Sequence, residues 1–260
     1  MFESARLKIE RAKKHINDLH DLCCTYVDSN FCELWVEKDE SNGDYLLRLA
    51  QTKEPPSDIP LIIGDAVHNL RSSLDIAYCE LIRDIAGISI SLTPKTQIKI
   101  VNTRNELVSG LTKGKGILVS RPDIAEVIAT TLCPYRDGNE DSLLHVIHDL
   151  NITDKHIILI PIFCPSKAEI TNIKMGGLTI GKLVADIGPD GVLNIARVGG
   201  DITDFSFDSQ SVSFSVLFGK DQPLSGKPVV TETTQFSQIY GKCVTKYARS
   251  NFKAGGINYL

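Results

Sequence analysis

The sequence predicts an α+β fold. A mainly helical half covers residues 1–156, as a bundle of long helices with one β-hairpin. A β-rich segment follows over 157–230, and a C-terminal helix over 231–260 docks back on the helical half. Three observations predict this. Apolar residues recur at alternating spacings of three and four over 2–27, 59–86 and 231–253, the period of a helix with one buried face. Between 157 and 218 that period gives way to short strand-like runs at 157–163, 170–175, 178–186, 192–198 and 211–218, cut by Gly, Pro and Asp. Finally, 42% hydrophobic and 23% charged residues in a chain of 260 give enough apolar side chains for a sizeable core and exclude wholesale disorder.

Taken in order, residues 2–27 form a helix whose Ala5, Ile9, Ala12, Ile16, Leu19, Cys23 and Tyr26 make one narrow stripe. Such a stripe suits another long helix of the same chain, or the seam of a homodimer. Glu33–Arg48 reads as a β-hairpin turning at Ser41-Asn42-Gly43-Asp44, where Asn-Gly supplies positive φ. Ser57 or Asp58 caps a second long helix that tolerates Pro60 in its first turn and ends near Ala86, with Gly87 at its C-terminus. Residues 88–101 are extended, 105–111 form a short helix, and Lys113-Gly114-Lys115-Gly116 is a basic loop. Arg121-Pro122-Asp123 opens a helix that stops before Pro134, and Asp141 or Ser142 caps the next, which runs to about Lys155. In the last helix Phe236, Tyr240, Cys243, Tyr247 and Phe252 face inward, while Lys242, Lys246, Arg249 and Lys253 line one face, read as a solvated face or as a weak contact strip for an anionic partner.

A net charge of −4 argues against bulk nucleic-acid or membrane binding. It is split unevenly: residues 1–156 carry 18 basic and 24 acidic side chains, residues 157–260 carry 10 and 8. No apolar run is long enough to span a bilayer and no signal peptide is visible. Seven cysteines without a CxxC pair read as reduced thiols, so the expected location is cytoplasmic.

The chemistry lies on two helices. On the helix at 59–86, Ile63, Val67, Leu70, Leu74, Ala77, Leu81 and Ile85 form the apolar face. His68, Arg71 and Asp75 sit together to one side, and Tyr78 and Ile82 continue that side as apolar surface. An exposed face rarely changes character in this way, so the three polar groups are expected to be partly covered, and covered charges need partners. On the helix at 142–155, Leu143, Val146, Ile147 and Leu150 face inward together with Asn151 and Asp154. His148 and Lys155 flank that face, and His145 and Asp149 point outward. The guanidinium fork of Arg71 matches the Asp154 carboxylate. These placements predict one cross-helix cluster of His68, Arg71, Asp75, Asn151, Asp154 and His156. Its structural alternative is a network that only fixes helix register, with Arg71 and Asp75 as a plain i, i+4 pair.

The stretch Gly64-Asp65-Ala66-Val67-His68-Asn69-Leu70-Arg71-Ser72-Ser73-Leu74-Asp75, then Pro134-Tyr135, then Leu150-Asn151-Ile152-Thr153-Asp154-Lys155-His156 resembles a family of uncharacterised bacterial proteins. Its members carry GD-x-x-HNLRS-x-LD, PY and LN-x-x-DKH. The resemblance covers residues 60–160 by motif and implies a location for the site without an activity. The helices also resemble, more distantly, HEPN domains, many of which are ribonucleases with Arg, four to six residues, then His on one helix. The family motif has His directly after LRS-x-LD; Ile76 stands there in this chain, followed by Ala77 and Tyr78, so the nuclease spacing is broken.

These readings give two functional expectations. In one, the chain binds or cleaves RNA or a nucleotide. His68 is then general acid or base, Arg71 holds phosphate, Asp75 and Asp154 orient them, and Asn69, Asn151, Lys155 and His156 contribute binding. In the other, it is a non-catalytic protein-interaction module and the cluster is architecture. No cofactor or metal is expected. His145-x-x-His148 lacks the spacing and glutamate of a zinc helix, Lys113–Gly116 lacks the context of a phosphate loop, and Ser72 and Ser73 lack a nucleophile elbow.

Overall fold

The computed structural model describes residues 2–38, 40–41, 45–85, 96–138, 143–156, 162–163, 168–175, 177–185, 192–198, 205–206, 213–214, 216–219 and 223–250. The fold is α+β, dominated by helices, as the periodicity predicts. The chain divides into two compact units. One comprises Met1–Asn17, Leu61–Ile160 and Thr231–Leu260; the other comprises Asp18–Pro60 and Pro161–Val230. The hairpin residues therefore fall in the same unit as 161–230.

The first unit is helical. Helix α1, Glu3–Val27, begins in it, and α2 spans Asp58–Glu80 with a π-turn over Leu81–Ile85. The seven stripe residues of α1 are all buried within the single chain, so that face is not open as a homodimer seam. The first part of α1 runs antiparallel to α2: Phe2 N donates to Glu80 Oε2 at 2.6 Å and Lys8 Nζ donates to Asn69 Oδ1 at 3.2 Å. On α2, Ile63, Val67, Leu70, Leu74, Ala77 and Leu81 are buried as the 3.6-residue period requires, and so are Tyr78 and Ile82.

Helix α3 is Arg104–Thr112. Its Thr103 cap accepts from Glu106 N at 3.1 Å, and Glu106 Oε2 reaches back to Asn102 N at 3.1 Å, a variant of the reciprocal capping box. Helix α4 is Pro122–Thr131, with proline in its first turn, and α5 is Leu143–His156. Helix α6, Val229–Ser250, buries Phe236 and Tyr240 in register with the predicted inner face.

Two expectations change here. Residues 96–100 have no regular structure, and Val101 makes only an isolated parallel bridge to Tyr135. His145 does not point outward: it is 1% exposed, with Nε2 3.4 Å from Cys133 O. Residues 132–138 strap across that side of α5, and a helical wheel drawn from sequence cannot see a strap. Arg136, on the same segment, forms a two-pronged pair with Asp149 at 2.7 and 3.2 Å.

The second unit is β-rich. Strands β1 (Cys32–Lys38) and β2 (Tyr45–Gln51) form the predicted hairpin, in register from Cys32–Gln51 to Lys38–Tyr45. Strands β3 to β9 are Ile162–Phe163, Ala168–Met175, Leu178–Ala185, Val192–Val198, Phe205–Ser206, Ser213–Phe214 and Leu217–Phe218. Strand β6 pairs with β2, with a bulge at Leu47/Arg48, and this pairing draws the hairpin into the β-rich unit. Strand β4 pairs with β5 along one edge and with β7 and β8 along the other, while β3 pairs with β9. The hairpin turn at 42–44, Gly87 with 88–95, the cap at 141–142, the start of the run at 157–163, Gly199-Gly200 and Phe252 with Lys253 lie outside the described residues, as do the side chains of Cys243, Lys246, Tyr247 and Arg249. No helix among the described residues is long and apolar enough to cross a membrane.

Candidate functional site

The polar side chains of α2 and α5 resolve into two groups with different characters. The first is closed. Arg71 is 5% exposed. It gives Nη1 to Asp75 Oδ1 at 2.6 Å and Nη2 to Ile98 O at 2.6 Å, and Asp75 Oδ1 also accepts from Ile98 N at 3.1 Å. The pair thus clamps the irregular segment 96–100 onto α2. Cys79 Sγ adds a contact to Thr96 O at 3.3 Å. Burial raises the Asp75 carboxyl, with Arg71 and the Ile98 amide opposing it. The predicted Arg71–Asp154 pair is not formed, because segment 96–100 supplies the competing partner. It could not be placed against α2 from spacing.

The second group is more open and includes the remaining predicted residues. His68 is half-buried, with Nε2 3.5 Å from Ser72 Oγ. Burial lowers its pKa first, and Lys155 and Lys8 push the same way; Asn151 and Asp65 act in the opposite sense. The ring is therefore neutral near pH 7. Asn151 is near enough to favour the protonated ring, yet its buried Oδ1 has no hydrogen bond of ordinary geometry among the described residues. Asp154, also half-buried, has its carboxyl raised by burial and by Asp65, against the pull of His68 and Lys155. Its carboxylate lies over Gly64: a Cβ there would come within 2.8 Å of Asp154 Cγ. Glycine at this turn of α2 is what admits the carboxylate. Asn69 links the group to α1 by accepting from Lys8 and donating to Asp65 O at 2.8 Å.

Of the predicted residues, His68, Asn69, Asn151, Asp154 and Lys155 gather here, and Arg71 and Asp75 form the adjoining clamp. Lys155 is felt by both His68 and Asp75, so the groups are neighbours. The side chain of His156 lies outside the described residues. Sequence reasoning missed Lys8, Asp65 and Ser72. Ser72 was legible as i+4 from His68, and Asp65 lies three residues before it; Lys8 was not, because its position depends on how α1 pairs with α2. His148, read as flanking, is drawn closer: its pKa is lowered by burial and then by Arg71, and its buried Nδ1 has no partner among the described residues. Among the described residues no group of three or more His, Cys, Asp or Glu is arranged to hold a metal ion.

The lowered histidine fixes a sign. Below the usual value of 6.5 the unfolded chain holds more protons on His68 than the folded one. The stability linked to His68 is complete above that value and is lost as pH falls through the folded pKa. Lys155→Gln is expected to move the ring's NMR titration midpoint upward; an unchanged midpoint would show that Lys155 does not act on it. Comparison of the chain with protein-family models, with curated proteins and with solved structures finds no match in any of the three.

Proposed function

We propose that the His68 group binds and cleaves single-stranded RNA with a residue set of its own, since the Arg-to-His spacing of the HEPN nucleases is broken at Ile76. The observation that carries this reading is a half-buried imidazole, Nε2 3.5 Å from Ser72 Oγ, one turn along α2 from Gly64, over which the Asp154 carboxylate lies; burial lowers the pKa of the first group and raises that of the second. Two titratable groups shifted away from their usual values at one place suit an acid–base pair. In the reaction, His68 takes the proton of a ribose 2′-hydroxyl. The freed oxygen attacks the adjacent phosphorus, the P–O5′ bond breaks, and the acid form of Asp154 gives its proton to the departing O5′. The products are a 2′,3′-cyclic phosphate and a 5′-hydroxyl. Lys8 and Lys155 offset phosphate charge, Asn151 offers hydrogen bonds, and Asn69, whose amide is engaged by Lys8 and Asp65 O, holds Lys8 in place. Arg71 has both Nη atoms engaged, so the phosphate role expected of it passes to the lysines.

The test is incubation of end-labelled single-stranded RNA, and DNA of the same sequence, with the protein in chelator. Cleavage of RNA alone, leaving cyclic phosphate ends, is the expected result. Neither binding nor cleavage of RNA would remove this reading in favour of the interaction module, which the closed Arg71–Asp75–Ile98 clamp favours.

A further inference from the structure

A second feature of the helical unit is independent of the His68 group. A pocket of about 260 Å³ opens between the end of α2, segment 96–101, α3 and the loop that follows it. Its apolar walls are Ile98, Leu107, Leu111, Ile117 and Ile128, with Thr96 and Gln97 at the segment side. This volume is near the low end for small-molecule sites and accommodates one ring with a short arm. Three polar features stand out against those walls. Tyr78 lines the pocket, is 4% exposed, and its hydroxyl makes no hydrogen bond among the described residues. Burial pushes that phenol up to about 12, so it stays a hydrogen-bond donor at any physiological pH. Lys99 and Lys115 also line the pocket, are exposed, and have no ion-pair partner among the described residues. Glu106 is the acidic lining residue, and its Oε2 is occupied by Asn102 N.

The basic glycine loop has a structural role here. Gly114 takes φ +59°, and Gly116 lies so close to the α3 C-terminus that a Cβ would come within 2.5 Å of the Leu111 carbonyl carbon. Gly116 N donates to Lys113 O at 2.9 Å and Leu118 N to Leu111 O at 2.8 Å, which folds the loop back on α3 and sets Lys115 at the pocket. A recess with apolar walls, and with a phenol and two ammonium groups that have no partner among the described residues, is complementary to an apolar body bearing one negative charge.

We propose that this pocket binds a small aromatic carboxylate, its ring among the five apolar walls and its carboxylate held by Tyr78, Lys99 and Lys115. The test is calorimetric and ¹⁹F NMR titration of the full chain with 4-fluorobenzoate, and with neutral 4-fluorobenzamide of the same shape. The expected result is saturable binding of the benzoate with Kd below about 1 mM, and about tenfold or more weaker binding of the amide. A Lys99→Gln/Lys115→Gln variant, changed only at exposed positions, is expected to weaken the benzoate about tenfold and leave the amide unchanged. Tyr78→Phe is expected to weaken both. Absence of saturable binding, equal affinity for the two probes, or an undiminished benzoate affinity in the double-lysine variant would each overturn the proposal. None of these readouts involves RNA, so failure here leaves the His68 reading standing, and the reverse.

Discussion

Arg71→Met is expected to lower the free energy of unfolding in urea by about 3 kcal/mol at neutral pH, the low end of what removing one partner of a buried pair costs. The low end applies because the Asp75 side chain keeps 26% of its exposure and so retains some solvent screening. Methionine fills most of the arginine's volume, so packing loss is not the main effect. The loss comes from the groups left behind: the Asp75 carboxylate keeps only the Ile98 amide, and the Ile98 carbonyl keeps no donor from α2. Asp75→Asn is expected to cost less, about 1–2 kcal/mol, since an amide oxygen still accepts from Ile98 N. Arg71→Met combined with Asp75→Leu is expected to cost less than the two single changes added, because they remove one interaction between them. A loss below about 1 kcal/mol for Arg71→Met would show that the clamp does not hold segment 96–100 and would free Arg71 for a ligand.

How far the site could be read from sequence follows from which contacts are local. The faces of α1, α2 and α6 were legible because burial there repeats with the helix period, and from Ala5 to Tyr26 every stripe position is buried as expected. His68, Arg71 and Asp75 were legible as one stripe for the same reason. What was not legible depends on segments without periodicity. Residues 96–100 turn Arg71 away from Asp154, and 132–138 cover His145. Both segments present backbone carbonyls, and a carbonyl carries no signature in the sequence. The hairpin was legible from its turn, but its allegiance to the β-rich unit depends on pairing with β6, over 140 residues away. Gly64 was visible as part of a motif. Its reason, room for the Asp154 carboxylate, needed the helices packed.

His68→Gln is expected to reduce RNA cleavage by about 10²–10⁴-fold, the usual contribution of a positioned general base, while leaving thermal stability unchanged or slightly raised. Stability should hold because a half-buried imidazole that makes only a 3.5 Å approach to Ser72 contributes little to packing. Glutamine keeps a polar side chain of similar reach and cannot take up a proton. Asp154→Asn is expected to lose activity to a similar degree and to remove one limb of the pH–rate profile, since the amide cannot give up a proton to the leaving oxygen. Gly64→Ala separates position from chemistry. It leaves both side chains proposed to act in cleavage in the sequence and improves helix propensity by about 1 kcal/mol, yet places a methyl where the Asp154 carboxylate lies. A carboxylate at the end of a short side chain can rotate away, so the fold is expected to survive with stability within about 1 kcal/mol of wild type. Cleavage should nevertheless fall toward the Asp154→Asn level. If Gly64→Ala cleaves at the wild-type rate while Asp154→Asn does not, Asp154 acts from a different rotamer and the assignment of its carboxyl as the acid over Gly64 is wrong. If all three variants cleave normally, the reaction belongs elsewhere in the chain.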